Sequence, residues 1–403
     1  MEFTSVMRAY RRTVKGKKKS SDYIRFGQRL GENLIQLHHE LTSKTYKPGQ
    51  TRCFVVIHPR PREIWAAPFR DRIVHHLIVE PLEKIWASKL HPKSFACRRG
   101  KGQLAALLDF QKQVRRLSQG GQKPVWALQV DIESFFYTID RRILLEKFLS
   151  RAKDPELRSL IETQFSIDPR HHYRRTGNPY LVQFLPPEKS WLSKGPNQGI
   201  PIGNLTSQFG ANLYLNELDH MITRNLKPGG YLRYMDDLLL LDTDPDKLKP
   251  LDAVIDQWLR TERNQNLNPT KTKLKPLHQG IEYLGMELKQ VNDPKEPLRI
   301  HVPPDKKWKL VNEARRLTQL NWWRTTDHHA LSLPLGHKNR HELQKINSRL
   351  GLMGHADSYK FRRQVAHKLL LNWGIGNEDL KEMGIDFAPI RNSKDFLSLK
   401  LNT

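Results

Sequence analysis

The run Tyr231–Asp242, YLRYMDDLLLLD, sets two adjacent carboxylates inside an otherwise apolar stretch, and no other segment restricts the fold as much. Each flank is a short apolar run of the kind that makes a buried strand. An ionised carboxylate inside such an element is costly unless a cation compensates it. A tight hairpin with Met235-Asp236 at its tip resolves the conflict by carrying Asp236 and Asp237 to an edge. Hairpins this hydrophobic favour Asn-Gly or Asp-Gly at the tip, so Met-Asp is a strained choice that chemistry rather than folding dictates.

A third acid stands in the same kind of setting. Val125–Val130 is short, apolar and partly β-branched, as a buried strand should be, and Asp131 follows at its end. Taken alone, a strand-end Asp is more often a capping or turn residue. Together with Asp236 and Asp237 it makes an all-oxygen set with no ligand-spaced His or Cys nearby, which favours Mg²⁺ over Zn²⁺. Two ions held by shared carboxylates stabilise the attacking and leaving oxygens of an in-line displacement at phosphorus, which is nucleotidyl transfer.

Charge narrows the partner. Lys and Arg number 68 against 42 Asp and Glu, a formal excess of +26 over 403 residues, which calls for an anionic partner such as nucleic acid. No stretch has the length and apolarity of a bilayer-crossing segment. With Cys53 and Cys97 alone, neither a disulfide framework nor a four-Cys zinc site can be built, and a reducing, cytoplasmic setting is expected. The basic N-terminus (Arg8, Arg11, Arg12, Lys15, Lys17, Lys18, Lys19) lacks the apolar core of a secretion signal; it reads equally as a phosphate contact or as a solvated tail.

Periodicity places helices over Tyr23–Leu41, Ile73–Ser88 (despite Pro81), Gly102–Leu117, Arg141–Ala152, Leu205–Asn225 and Lys247–Asn264. Strands are expected over Arg52–Ile57, after the lysine-rich turn NPTKTKL, and as one further strand in GIEYLGMEL. The Pro-, Gly- and His-rich stretch Asp168–Gly195 reads as loop or hairpin, and from Pro303 the pattern becomes Arg- and Lys-rich helix.

Seven segments in order, REIWAAPFRDRIVHH, SFACRRGKG, VDIESFF, GIPIGNLTSQFGANLYLNELD, LRYMDDLLLL, NPTKTKL and GIEYLGMEL, resemble the reverse transcriptases. Within them the chain is similar to the bacterial lineage of group II intron, retron and diversity-generating enzymes. The resemblance runs from about Arg62 to Arg363 and implies an α+β right-hand polymerase. Residues 1–125 would be an N-terminal extension and fingers, 126–300 the palm with a finger-like insertion near 153–197, and 301–403 a helical thumb and C-terminal tail.

Residue by residue, the resemblance implies that Asp131, Asp236 and Asp237 bind two Mg²⁺ ions. Phe136 matches the aromatic wall under the nucleotide sugar that excludes a 2′-hydroxyl, although Phe135 and Phe136 also read as adjacent core aromatics. Arg60 and Arg62 match residues that grip the triphosphate with planar, charge-assisted forks. Lys271 matches a lysine that protonates departing pyrophosphate; Lys273 is its rival, and either also reads as a solvated turn lysine. Ile202, Gly203, Ser207 and Gln208 match the motif around the incoming nucleotide, and Arg98, Arg99 and Lys101 a nucleic-acid contact. Most of the family has Gln where Ile202 stands and Pro where Gln208 stands. This variant is similar to diversity-generating and defence-associated enzymes, and an aliphatic side chain implies weaker geometric policing of the nascent pair.

In the C-terminal stretch, Trp308, Trp322 and Trp323 alternate with cations; Trp322 and Trp323 read as packing, and Arg349, Lys360, Arg362 and Arg363 as a nucleic-acid face. The residues after Ile375 are too few for an RNase H domain. The implied partners are dNTPs, a DNA product and an RNA template, the last a structured noncoding RNA; an accessory protein or a second copy of the chain is a further candidate. Antiviral defence and diversity generation are competing settings, and a catalytically idle RNA-binding scaffold is the reading from another class. A chain that neutralises roughly 6–10 phosphates loses about 10³–10⁵ in RNA affinity between 50 and 200 mM salt. Filter binding across that range tests this, and a flat response contradicts it.

Overall fold

The computed structural model describes residues 1–15, 21–57 and 60–319. They divide into two compact units: Met1–Ala106 with Ala127–Leu274, and Leu107–Trp126 with the chain from Lys275. In order, the first unit carries α1 (Phe3–Val14), α2 (Ser21–Gly27), α3 (Leu30–Thr42), β1 (Thr51–Val56), β2 (Arg62–Ala66) and α4 (Phe69–Trp86). After α5 (Gln103–Leu117) come β3 (Trp126–Asp131), α6 (Phe135–Thr138), α7 (Arg141–Leu149), α8 (Pro155–Ser166) and β4 (Tyr173–Arg175). Then follow α9 (Leu205–Met221), β5 (Gly230–Tyr234), β6 (Asp237–Asp242), α10 (Pro245–Leu248), α11 (Leu251–Arg263) and β7 (Lys273–Pro276). The second unit adds β8 (Ile281–Tyr283), β9 (Met286–Gln290), β10 (Leu298–His301) and α12 (Pro304–Gln319). The fold is α+β, and among the described residues no helix is long and apolar enough to cross a membrane.

A four-stranded sheet ordered β5-β6-β3-β7 lies at the centre of the first unit, and a three-stranded sheet ordered β2-β1-β4 accompanies it. Leu238–Leu241 are all buried, so β6 is covered on both faces. Helix α9 is buried nearly all round and packs on α4 and α7. Close approach to α7 requires Gly210, where a Cβ would lie 2.9 Å from Phe148 Cε2 and 3.1 Å from Leu144 Cδ1. Helix starts follow their caps: Asp140 accepts from Arg142 N and Ile143 N, and Asp154 caps α8 ahead of Pro155.

Three expectations are corrected. The helix read over Tyr23–Leu41 is two helices, parted after Gly27, with Asn33 Nδ2 donating to the Phe26 carbonyl at the break. Lys247–Asn264 is likewise divided, and α11 begins after Pro250. GIEYLGMEL is not one strand but the antiparallel pair β8–β9, because Leu284 (φ 49°) and Gly285 (φ 77°) take the paired left-handed conformation of a two-residue type I′ turn.

Gly210→Ala gains at most about 1 kcal/mol of helix propensity but overpacks a core that yields little, at about 1–3 kcal/mol. Phe148 and Leu144 are both fully buried, so neither can swing away. Net destabilisation in chemical denaturation is the expected outcome; an unchanged midpoint contradicts this account of the α7–α9 contact.

Candidate active site

Strands β5 and β6 pair with Tyr234 opposite Asp237, leaving Met235-Asp236 as a two-residue turn. Met235 has φ 62° and Asp236 is not left-handed, the type II′ pattern of φ, where glycine is the usual first residue. The strain anticipated at Met235 is thus present in the backbone. Strand β3 lies beside β6 and ends on Asp131, which brings the third acid to the same edge.

The next segment is zipped to that edge. Ile132 bridges Leu267, Glu133 N donates to the Asn266 carbonyl, and Asn268 N donates to the Asp131 carbonyl at 2.8 Å. Asn268 then organises a turn, accepting Lys271 N and Thr272 N on its carbonyl and Thr270 N on its side chain. The turn swings Lys271 back, and its Nζ lies 2.7 Å from Asp131 Oδ1. Lys273 enters β7 as an exposed residue, so of the two rival lysines Lys271 is the one that touches an acid.

Burial first and like charges second set the electrostatics. Burial and the Asp131 charge push Asp236 up to about 6, against the pull of Lys271 and Arg62. Crowding by surrounding protein, then the charges of Asp236 and Asp131, push Asp237 to about 7, although its side chain stays open to water. Asp237 lies near enough to Asp131 for the two side chains to act on each other. Among the described residues no three Asp, Glu, His or Cys side chains are so placed that together they could hold a metal ion. What the edge offers is hard oxygen donors, mutually repelling, with an ammonium already drawn in as counter-charge, and that chemistry fits a divalent cation.

The remaining residues fall into groups. Arg62, at the start of β2, is near enough to act on Asp236, and Arg60 is exposed just before it. Phe135 is core and Phe136 half-buried, packed edge-on with centroids 5.3 Å apart. The Phe136 carbonyl accepts from Ile200 N, which ties the loop before α9 to α6. Gly199 is obligatory in that loop: φ is 85° and a Cβ would lie 2.3 Å from Trp191 Nε1. Ile202 packs against Cys53, Trp65, Tyr137 and Trp191, which gives its aliphatic side chain a packing reason independent of any nucleotide. Gly203 is left-handed at φ 104°, and Gln208 is half-buried on α9.

Two of the expected contact residues are turned inward. Ser207 is 3% exposed and lines a cleft with Arg141, Trp191 and Thr206 that contains none of the three acids. Arg98 is turned inward, its Nη1 donating to the His91 and Ser94 carbonyls and to Ser94 Oγ, so the turn uses the guanidinium that was expected to meet phosphate. Lys101 binds the Pro92 carbonyl and lies over the Phe95 ring, whereas Arg99 is exposed. Arg349, Lys360, Arg362, Arg363, Trp322 and Trp323 lie outside the described residues.

Sequence reasoning missed two groups. Asp219 of α9 and Arg233 of β5 form a fully buried ion pair directly behind the Met235 turn. Buried Glu63 accepts from Trp65 Nε1 and Trp191 N, fastening the segment before α9 to β2 beside Arg62. A lone cation in an apolar strand was the available signal for the first.

Residues 58–288 match the family model described as reverse transcriptase (RNA-dependent DNA polymerase). This chain belongs to the reverse transcriptase family. The family's reaction is RNA-directed DNA polymerisation, a nucleotidyl transfer. The chain is 22% identical over 332 residues to protein YkfC of Escherichia coli (strain K12), covering 73% of this chain and 81% of that one. Among solved structures it is similar to the telomerase of Candida albicans in complex with a TWJ fragment of telomeric RNA (TM-score 0.42, 10% identity, 88% of this chain and 62% of that one). It is also similar to a C-terminally truncated apo telomerase of Candida tropicalis (TM-score 0.43, 12% identity, 66% and 59%). The chain therefore spans about three fifths of the length of those telomerase chains.

Raised carboxyl pKa values make a stability prediction. A group that keeps its proton in the folded state to about pH 6 but loses it near 3.8 when unfolded stabilises the fold at low pH. That contribution is lost as pH rises from about 4 to about 6. The metal-free protein should thus lose stability over that window, and Asp236→Asn should recover on the order of 1–2 kcal/mol at pH 7.5, allowing for partial solvent screening. Thermal melts in EDTA test it: equal melting of both forms at pH 7.5 contradicts the repulsion.

Proposed function

We propose that this chain copies an RNA template into DNA by two-metal nucleotidyl transfer, with Asp131, Asp236 and Asp237 holding two Mg²⁺ ions. The observation that carries the reading is the meeting of Asp131 with the Met235-Asp236-Asp237 turn, Lys271 already paired to Asp131. Metal bound there supplies charge stabilisation at the reacting phosphorus. The three carboxylates orient that charge from rigid strand ends. Arg62 and Arg60 offer guanidinium forks to the triphosphate, and Phe136 gives the sugar an aromatic wall. Lys271 Nζ holds the proton for the leaving pyrophosphate.

In this reading residues 1–125 serve as N-terminal extension and fingers, 126–300 as palm with an insertion near 153–197, and 301–403 as thumb and tail. The lineage is that of the bacterial retroelement enzymes, and the template is a dedicated structured noncoding RNA, used in antiviral defence. The excess of +26 supports an RNA held across a broad basic surface. Diversity generation at low fidelity is the second reading, favoured by Ile202, which cannot make the hydrogen bond a Gln would make.

Primer extension on poly(rA)/oligo(dT) with Mg²⁺ tests the chemistry. Asp236→Asn should abolish dTTP incorporation, and Lys271→Gln should lower kcat by about 10²-fold. Phe136→Ala should weaken dNTP-over-rNTP selection at least about tenfold. Absent incorporation by the wild type, or incorporation that survives Asp236→Asn, favours the idle scaffold.

A further inference from the structure

The geometry points to Arg233 as a positioning residue that sets the catalytic turn, with Asp219 as its anchor. This rests on the reading above, in which Asp236 holds metal. Arg233 is 0% exposed and cannot touch substrate. Its Nε and Nη2 each donate to one Asp219 oxygen at 2.7 Å. Its remaining nitrogen, Nη1, donates to the Met235 carbonyl at 2.9 Å and, at 3.4 Å, to Asn212 Oδ1.

Each end of this chain of bonds is independently fixed. Asp219 also accepts the Tyr231 hydroxyl at 2.6 Å, and Asn212 Nδ2 donates to the Ala96 carbonyl. The backbone of Arg233 is clamped as well: its N donates to the Lys93 carbonyl and its carbonyl accepts Phe95 N. The guanidinium therefore reaches the turn from a frame that cannot drift, and its free corner meets the carbonyl of the one turn residue held left-handed.

Stability alone does not explain such a pair. A fully buried ion pair contributes little over a well-packed apolar substitute, whereas losing one partner is severe. What it supplies is direction. Met235 is unfavourable at φ 62°, and the bond to its carbonyl selects that conformation, which in turn places Asp236. A lysine ammonium is a point charge and cannot fork Asp219 and reach the Met235 carbonyl together. The latch also joins α9, whose first turn follows the Ile202–Gly203 loop, to the turn bearing two of the three acids.

The test compares the full-length wild type with Arg233→Lys, Tyr231→Phe and Arg233→Lys/Met235→Gly. Arg233→Lys should lower kcat by about 10²-fold, the scale of a misplaced catalytic group, with dNTP KM near the wild-type value. Tyr231→Phe loosens the same buried cluster without touching the Met235 bond, so it should lower the melting temperature and leave kcat within about twofold. Glycine tolerates the left-handed turn unaided, so the double variant should regain at least about tenfold of the lost kcat. Hydrogen exchange without metal is the second readout. In the wild type the Asp237 amide, which closes the turn against Tyr234, should be as slow as those of Leu238–Leu241, and in Arg233→Lys it should exchange faster while α9 stays protected. Parallel kcat losses in Tyr231→Phe and Arg233→Lys, no recovery in the double variant, or a freely exchanging wild-type Asp237 amide overturn the latch. A wild type that is inactive in primer extension defeats the polymerase reading instead, and the exchange data still judge the latch.

Discussion

Three like charges held at neighbouring strand ends are the constraint around which the first unit is arranged. Nothing in the hydrophobic effect would gather Asp131, Asp236 and Asp237; burial and then their mutual repulsion push two of them well above the ordinary carboxylate range. The gathering is imposed by backbone geometry instead. Strand order fixes Asp131 beside β6, and the Asn266–Asn268 segment bound along β3 delivers the Lys271 ammonium. The apolar bulk behind, Leu238–Leu241 and the buried faces of α9, supplies the free energy that keeps the acids in place.

That division of labour accounts for where polar groups are buried. Asp219–Arg233 and Glu63 are deep, paired or fully hydrogen-bonded, and each adjoins a residue assigned to chemistry: Met235-Asp236 in one case, Arg62 in the other. Burying polar groups is expensive, and their bonds specify direction better than apolar contacts do. The loop from Gly199 to Gly203 follows the same rule. It is bound to α6 through the Ile139 and Phe136 carbonyls, and Trp191 closes against Gly199.

Much of the site was legible in the sequence, because a charged residue in an apolar run has few physical excuses. The Met235-Asp236 turn and the strand ending at Asp131 follow from that logic, whereas Phe136 was set apart from Phe135 by the family resemblance alone. Periodicity failed where short apolar runs conceal a turn: GIEYLGMEL reads as one strand unless Gly285 is taken as punctuation. Basic runs are hard to read for a different reason. Arg98, Arg99 and Lys101 look alike in sequence, and only three-dimensional placement separates the one that satisfies carbonyls from the one that faces water. The Asp219–Arg233 partnership needed the topology that brings α9 behind β5.

The β5–β6 hairpin is clasped at both ends, by Asp242 Oδ2 on Gly229 N at its base and by the guanidinium at its tip. Every leucine between is enclosed, so slipping by one position would put a carboxylate in a leucine's place. The segment from Gly229 to Asp242 therefore behaves as a ruler of fixed length: it can accommodate changes of side chain at some marks, but an insertion or deletion anywhere along it would carry the acids off the edge where they meet.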